Sequence, residues 1–150
     1  MKTFLKLLVV SLMILVPVSG AQAADRIGKI KVASGDVSIT RNGVEITAKS
    51  GEELFEADII TTGENSAVGM TFSDNSRVSL GPESSLELEH YAHQKGGKPD
   101  GFDLRIKHGS LTAASGEIAK SRPLAMRVLM PTTVLGVKGT EFAVRVGQSG

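Results

Sequence analysis

A chain of 150 residues has room for one ordinary domain rather than two. Its 17 Lys and Arg stand against 16 Asp and Glu, a balance that excludes the clustered cations needed to hold nucleic acid or an anionic membrane surface. No cysteine is present, so there is no disulfide framework, no lipid-attachment cysteine and no thiol nucleophile.

Taken in chain order, the first 23 residues read as a targeting segment. Lys2 and Lys6 give a basic start, Leu7 to Val18 is apolar apart from Ser11, and Pro17 and Gly20 break any helix. Ala21-Gln22-Ala23 then supplies the small-x-small site that signal peptidase accepts. A dozen apolar residues fall short of the roughly 20 that span a bilayer as a helix. The expectation is therefore a cleaved signal peptide over residues 1–23, not an uncleaved anchor, and a periplasmic domain over residues 24–150. No second apolar stretch follows, so no stable membrane insertion is expected after cleavage. Without Lys2 and Lys6 the mature part carries 15 basic against 16 acidic side chains. A domain of this size buries roughly two thirds of the surface of its unfolded chain.

From Ile27 onward the apolar residues alternate. Ile30/Val32, Val37/Ile39, Val44/Ile46, Val68/Met70/Phe72, Val78/Leu80, Leu86/Leu88, Leu104/Ile106, Val128/Met130 and Phe142/Val144/Val146 all sit two apart. Side chains two apart share one face of a strand, which predicts half-buried sheet. Turn formers divide the runs at Ser34-Gly35-Asp36, Asn42-Gly43, Thr62-Gly63, Asp74-Asn75, Gly81-Pro82 and His108-Gly109, among others. The pattern predicts an all-β domain of many short strands, a roll or solenoid-like sandwich. No amphipathic helix stands out after Ala23; Glu52 to Ile60 is the best candidate, as one turn or an extended segment.

Two hairpins can be tested by register. A two-residue type I′ turn at Asn42-Gly43 sets Arg41 opposite Val44, Ile39 opposite Ile46 and Val37 opposite Ala48, so apolar residues meet on one face. A three-residue loop at Asp74-Asn75-Ser76 sets Phe72 with Val78 and Met70 with Leu80, although a solenoid corner fits the same periodicity. The polar stretch from Lys95 to Gly101 reads as a mobile surface loop dividing two sub-sheets, and residues 119–124 as a second, shorter interruption.

Candidate chemistry is sparse. His90 and His93 point to opposite faces if they lie on one strand, and His108 comes from a separate strand, so a zinc site is not expected. No G-x-S-x-G is present; Ser73, Ser76, Ser79, Ser84 and Ser85 read as turn or outward-facing strand positions. Gly136-Val137-Lys138-Gly139-Thr140 lacks the Lys-Ser/Thr adjacency of a phosphate loop, and its glycines read as tight turns. A glycan platform would want exposed rings, and the mature chain offers only Phe55, Phe72, Tyr91, Phe102 and Phe142. No residue is assigned a catalytic, cofactor or metal role, and no cofactor is expected.

Three blocks carry a family resemblance. Gly35-Asp36-Val37, Arg41-Asn42-Gly43 and Gly51 through Leu54, Asp58, Ile60 and Thr62-Gly63 form the first. Ala67-Val68 through Phe72, Asp74-Asn75-Ser76, Val78 and Leu80 form the second, with Asn75 where Gly is usual. Met130-Pro131-Thr132 through Val137-Lys138-Gly139-Thr140-Glu141-Phe142 form the third, with Lys138 where Arg is commoner. Together they resemble the FecR domain over about Val32 to Val146. The resemblance implies a β-rich, extracytoplasmic, non-enzymatic domain that contacts other proteins. The signal relay of the regulators that gave the family its name needs a cytoplasmic anti-sigma segment and a membrane span, which the sequence does not display. The expectation is an interaction module docking another envelope protein by strand edge or sheet face, with Lys29, Lys31, Arg105 and Lys107 guarding open edges. An envelope glycan or peptidoglycan ligand is the alternative.

Overall fold

The computed structural model describes residues 23–148. The segment read as a signal peptide lies outside them except for Ala23. Twelve strands and one short helix follow in order: β1 (Arg26–Ser34), β2 (Val37–Arg41), β3 (Val44–Thr47), β4 (Glu53–Phe55), β5 (Ile59–Thr62), β6 (Ala67–Phe72), β7 (Arg77–Leu80), β8 (Ser85–Ala92), β9 (Gly101–Ala114), α1 (Glu117–Ser121), β10 (Met126–Leu129), β11 (Val134–Val137) and β12 (Glu141–Val146). The all-β expectation holds.

The sheet runs β3-β2-β5-β8-β9-β7-β6-β1-β4, with β10, β11 and β12 attached through β9. Nine strands laid flat would put β3 and β4 about 38 Å apart at the usual strand spacing. The chain joins those two end strands through residues 48–52 alone, a connection that reaches about 20 Å. The sheet must therefore curl, and it closes over one continuous core that includes Ile30, Ile39, Leu54, Ile60, Met70, Phe72, Leu86, Leu88, Leu104 and Ile106.

β9 joins the two layers of this roll. Its first half, up to His108, pairs antiparallel with β8 and parallel with β10. From Gly109 onward it pairs instead with β7 and β12. The buried positions switch parity at the same point, from Phe102, Leu104 and Ile106 to Leu111 and Ala113. Gly109 makes the switch with φ +99, where any side chain is strained, and a Cβ there would collide with Ser84.

The Asn42-Gly43 hairpin has the predicted register, with Arg41 opposite Val44 and Ile39 opposite Ile46. Both turn residues have positive φ, as a type I′ turn requires. Asp74-Asn75 is a hairpin too, not a solenoid corner, but its pairing is two residues from the expected one. Met70 faces Val78, Val68 faces Leu80, and the Phe72 amide donates to the Ser76 carbonyl. A two-residue shift preserves the face, so Phe72, Met70, Val78 and Leu80 are still buried together.

Other expectations are corrected. Val32 does not share the buried face of Ile30: a register shift in β1 between them turns Val32 outward to 59% exposure. The loop over residues 95–100 does not divide two sub-sheets, since it joins β8 to β9, which pair directly. Gly136 is no turn residue; it lies in β11 opposite Arg127, and its missing side chain leaves room for Leu124. The interruption at 119–124 contains part of α1, which buries Ile118 and Ala119 and is too short to show a helical period.

Candidate functional site

The motif residues that look most chemical in sequence are fastened into the scaffold. Asp74, fully buried at the tip of the β6–β7 hairpin, accepts hydrogen bonds from Ser76 N (3.1 Å), Ser76 Oγ (2.6 Å), the Tyr91 hydroxyl (3.3 Å) and Ile118 N (3.3 Å). Its backbone carbonyl also accepts from Glu117 N at 2.8 Å. Gly116, which precedes α1, offers no side-chain cap. Asp74 therefore caps α1 from a distant loop, satisfying amides that a helix start leaves free. Burial, and then the neighbouring Asp74 charge, push the Tyr91 hydroxyl above its ordinary value.

A second clasp joins β2 to the β4–β5 turn. Arg41 holds buried Asp58 with both ends of its fork, Nε to Oδ1 at 2.9 Å and Nη2 to Oδ2 at 2.8 Å. The same carboxylate accepts from Phe55 N at 2.9 Å, and the guanidinium lies 4.5 Å from the Phe55 ring centre. That bond to Asp58 raises the Arg41 pKa. A third clasp sits where the layers cross. Ser84 N donates to Thr62 Oγ1 (2.9 Å), and Ser84 Oγ accepts from Ser110 N (3.0 Å). The outward-facing strand reading thus fails at Ser85, buried on β8, while Ser76 and Ser84 lie in turns as expected but are buried there.

The structure keeps the histidines apart. His90 lies 3.4 Å from Glu56, whereas His93 sits between Asp100 (3.1 Å) and Glu117 (3.2 Å). His108 Nδ1 meets the Glu83 carbonyl at 2.8 Å. The Gln94 amide and then His93 hold the Asp100 carboxyl below its usual range. Among the described residues, no group of three or more His, Cys, Asp or Glu is placed to hold a metal ion. Phe72, Tyr91 and Phe102 form a buried aromatic cluster with centroids 4.7 to 6.1 Å apart, so these rings present no face to a sugar.

What the fold leaves open is strand edge. Among the described residues, β3, β4, β11 and β12 each pair with a single neighbour. The expected guards stand elsewhere: Lys29 and Lys31 are on β1, between β4 and β6, and Arg105 and Lys107 are on β9, the most interior strand. Arg105 is engaged with Glu89 at 2.8 Å. Of the four edges, β3, β4 and β12 carry Glu45, Glu53 and Glu141, while β11 (Val134-Leu135-Gly136-Val137) has no ionisable side chain. Val134 is 57% exposed and Leu135 36%. Beside them Leu124, 64% exposed, lies over Gly136 and is held at φ +62, an unfavourable conformation for a leucine. Alternation does not reveal β11, because its sequence has no polar residue to mark a half-buried strand. Nor can a strand's own residues reveal that it ends a sheet.

Among the described residues no helix is long and apolar enough to cross a membrane. A family model described as FecR protein matches residues 58–150, more than half of the chain. The match takes in the Asp74 hairpin and β11, and begins after the Asn42-Gly43 hairpin. No curated protein and no solved structure matches the chain.

Proposed function

The chain belongs to the FecR family, and from that premise we propose that it is an exported, non-enzymatic protein–protein interaction module of the cell envelope. In this reading residues 1–23 are removed on export, and residues 24–150 work in the periplasm as one domain. The family's place in envelope signalling supports another envelope protein as the partner.

The observation that carries the reading is the β11 edge. An open strand presents backbone N–H and C=O groups to an incoming extended segment, which adds itself as the next strand of the sheet. Backbone pairing supplies affinity along β11, while Val134, Leu124 and Leu135 supply apolar contact. Burying side chains of this size contributes up to about 1.5–3 kcal/mol each, less here because they are already partly covered. A strand of four residues makes a small interface, which suits transient signalling contact rather than permanent assembly.

Crosslinking in living cells from a photoreactive residue at position 134 tests the reading. The expected result is a discrete adduct with an envelope protein, lost when Leu135 is also replaced by Lys. Recovery of nothing above background would count against it.

A further inference from the structure

We propose that a second copy of this chain occupies the β11 edge, the two β11 strands pairing antiparallel about a two-fold axis at Leu135. The proposal rests on the strand-adding reading of β11 above and names the occupant that covers the edge until a partner displaces it.

Three observations on the strand favour a copy of itself. The first is charge. A two-fold edge contact sets a strand against an identical copy of itself, so an edge with a net charge meets the same net charge. Glu45 and Glu53 place that conflict on β3 and β4, and β12 carries both Glu141 and Arg145, whereas β11 carries no charge at all.

The second is shape. An axis perpendicular to the sheet leaves each face on its own side, so residues pair only with residues of the same face. With the axis at Leu135, Val134 lies opposite Gly136 of the second copy, and Gly136 opposite Val134. Gly136 has no side chain of its own but is covered by Leu124, so on both sides of the axis Val134 of one copy meets Leu124 of the other. At the strand ends Thr132 lies opposite Lys138 and Thr133 opposite Val137, again without like charges facing.

The third is exposure. An uncharged, apolar edge is a template for uncontrolled strand addition unless it is covered. A two-fold pair covers both β11 edges at once and, being closed, propagates no further. The strain at Leu124 fits the same use, since its φ of +62 holds an exposed leucine beside the pairing line.

The absence of cysteine makes the register directly testable. Residues directly opposite in an antiparallel pair have Cα atoms about 4.5–5.5 Å apart, within the roughly 4.4–6.8 Å that a disulfide spans. Mature protein carrying Leu135→Cys should therefore form a disulfide-linked dimer under mild oxidation. Val44→Cys, on β3 and more exposed than Leu135, should nonetheless crosslink at least about tenfold more slowly. Wild-type protein should show concentration-dependent dimerisation in sedimentation, abolished by Val134→Lys with an unchanged circular dichroism spectrum. A wild-type chain that stays monomeric at millimolar concentration overturns the proposal, as does Leu135→Cys crosslinking no faster than Val44→Cys. Adducts with a different protein from position 134 in cells, alongside a monomer in solution, overturn self-pairing and uphold the interaction-module reading. A solution dimer whose only cellular adducts are with itself upholds self-pairing and overturns the separate envelope partner.

Discussion

Replacing Asp74 by Ala removes one buried carboxylate and disconnects three parts of the chain. Four donors converge on it: Ser76 N, Ser76 Oγ, the Tyr91 hydroxyl and Ile118 N. The two hydroxyls can rotate toward other acceptors, but the two amides are fixed by the hairpin and by α1. Leaving a buried donor without a partner costs about 1–3 kcal/mol, and loss of a helix cap typically about 1 kcal/mol. Relief from desolvating a carboxylate offsets part of this, so the expected net loss is about 3 kcal/mol. Against a total stability of about 5–15 kcal/mol that is a large fraction. For a domain of this size it corresponds to a fall in Tm of about 12 °C. Urea and thermal unfolding followed by circular dichroism measure both quantities. Asp74→Asn keeps one acceptor oxygen and should lose about half as much. A loss below about 1 kcal/mol for Asp74→Ala would refute the view that this hairpin anchors α1.

Three further outcomes follow from the same structure. Tyr91 is the only tyrosine and there is no tryptophan, so tyrosinate absorbance reports on it alone. Its folded pKa lies above the ordinary 10.0, so the unfolded chain releases the proton first; stability should be complete below about pH 10 and fall as pH rises beyond it. A Tyr91 that ionises at its ordinary value in the folded protein would contradict that burial. Arg41→Ala strands the Asp58 carboxylate with only the Phe55 amide and should cost about 2–4 kcal/mol, somewhat below a fully buried pair because Arg41 is partly exposed. Arg41→Met combined with Asp58→Asn should cost less than the sum of its parts by at least about 1 kcal/mol in a double-mutant cycle. Leu124→Asn relieves left-handed strain of about 1–2 kcal/mol, less the loss of packing on Gly136. It should leave the isolated domain equally or more stable while weakening association at β11, to be read by thermal unfolding and sedimentation together.

Local chemistry was readable from the sequence and long-range pairing was not. Asn42-Gly43 sets its own register, because the turn type and the requirement that Ile39 and Ile46 share a face give the same answer. At Asp74-Asn75 the face was readable and the pairing was not. The carboxylate draws Ser76 into its own knot, and only a contact with α1, some 40 residues away, makes that arrangement worthwhile. The crossing of β9 between layers did leave a trace, the change from even to odd buried positions around Gly109, but a single strand interrupted by a glycine looks like two strands and a turn. Val32 was misplaced because a register shift reverses parity without altering composition. The guard role given to Lys29, Lys31, Arg105 and Lys107 failed for a related reason: alternation shows which residues face solvent, not which strand has a neighbour on only one side.

The most direct test of the account is site-specific crosslinking in cells, comparing photoreactive residues at Val134 on β11 and Val44 on β3, two side chains of similar exposure. Adducts with envelope protein concentrated at position 134 are the predicted result. Equal yields from the two positions, or adducts from position 44 alone, would contradict the claim that the uncharged edge is where this domain meets its partners.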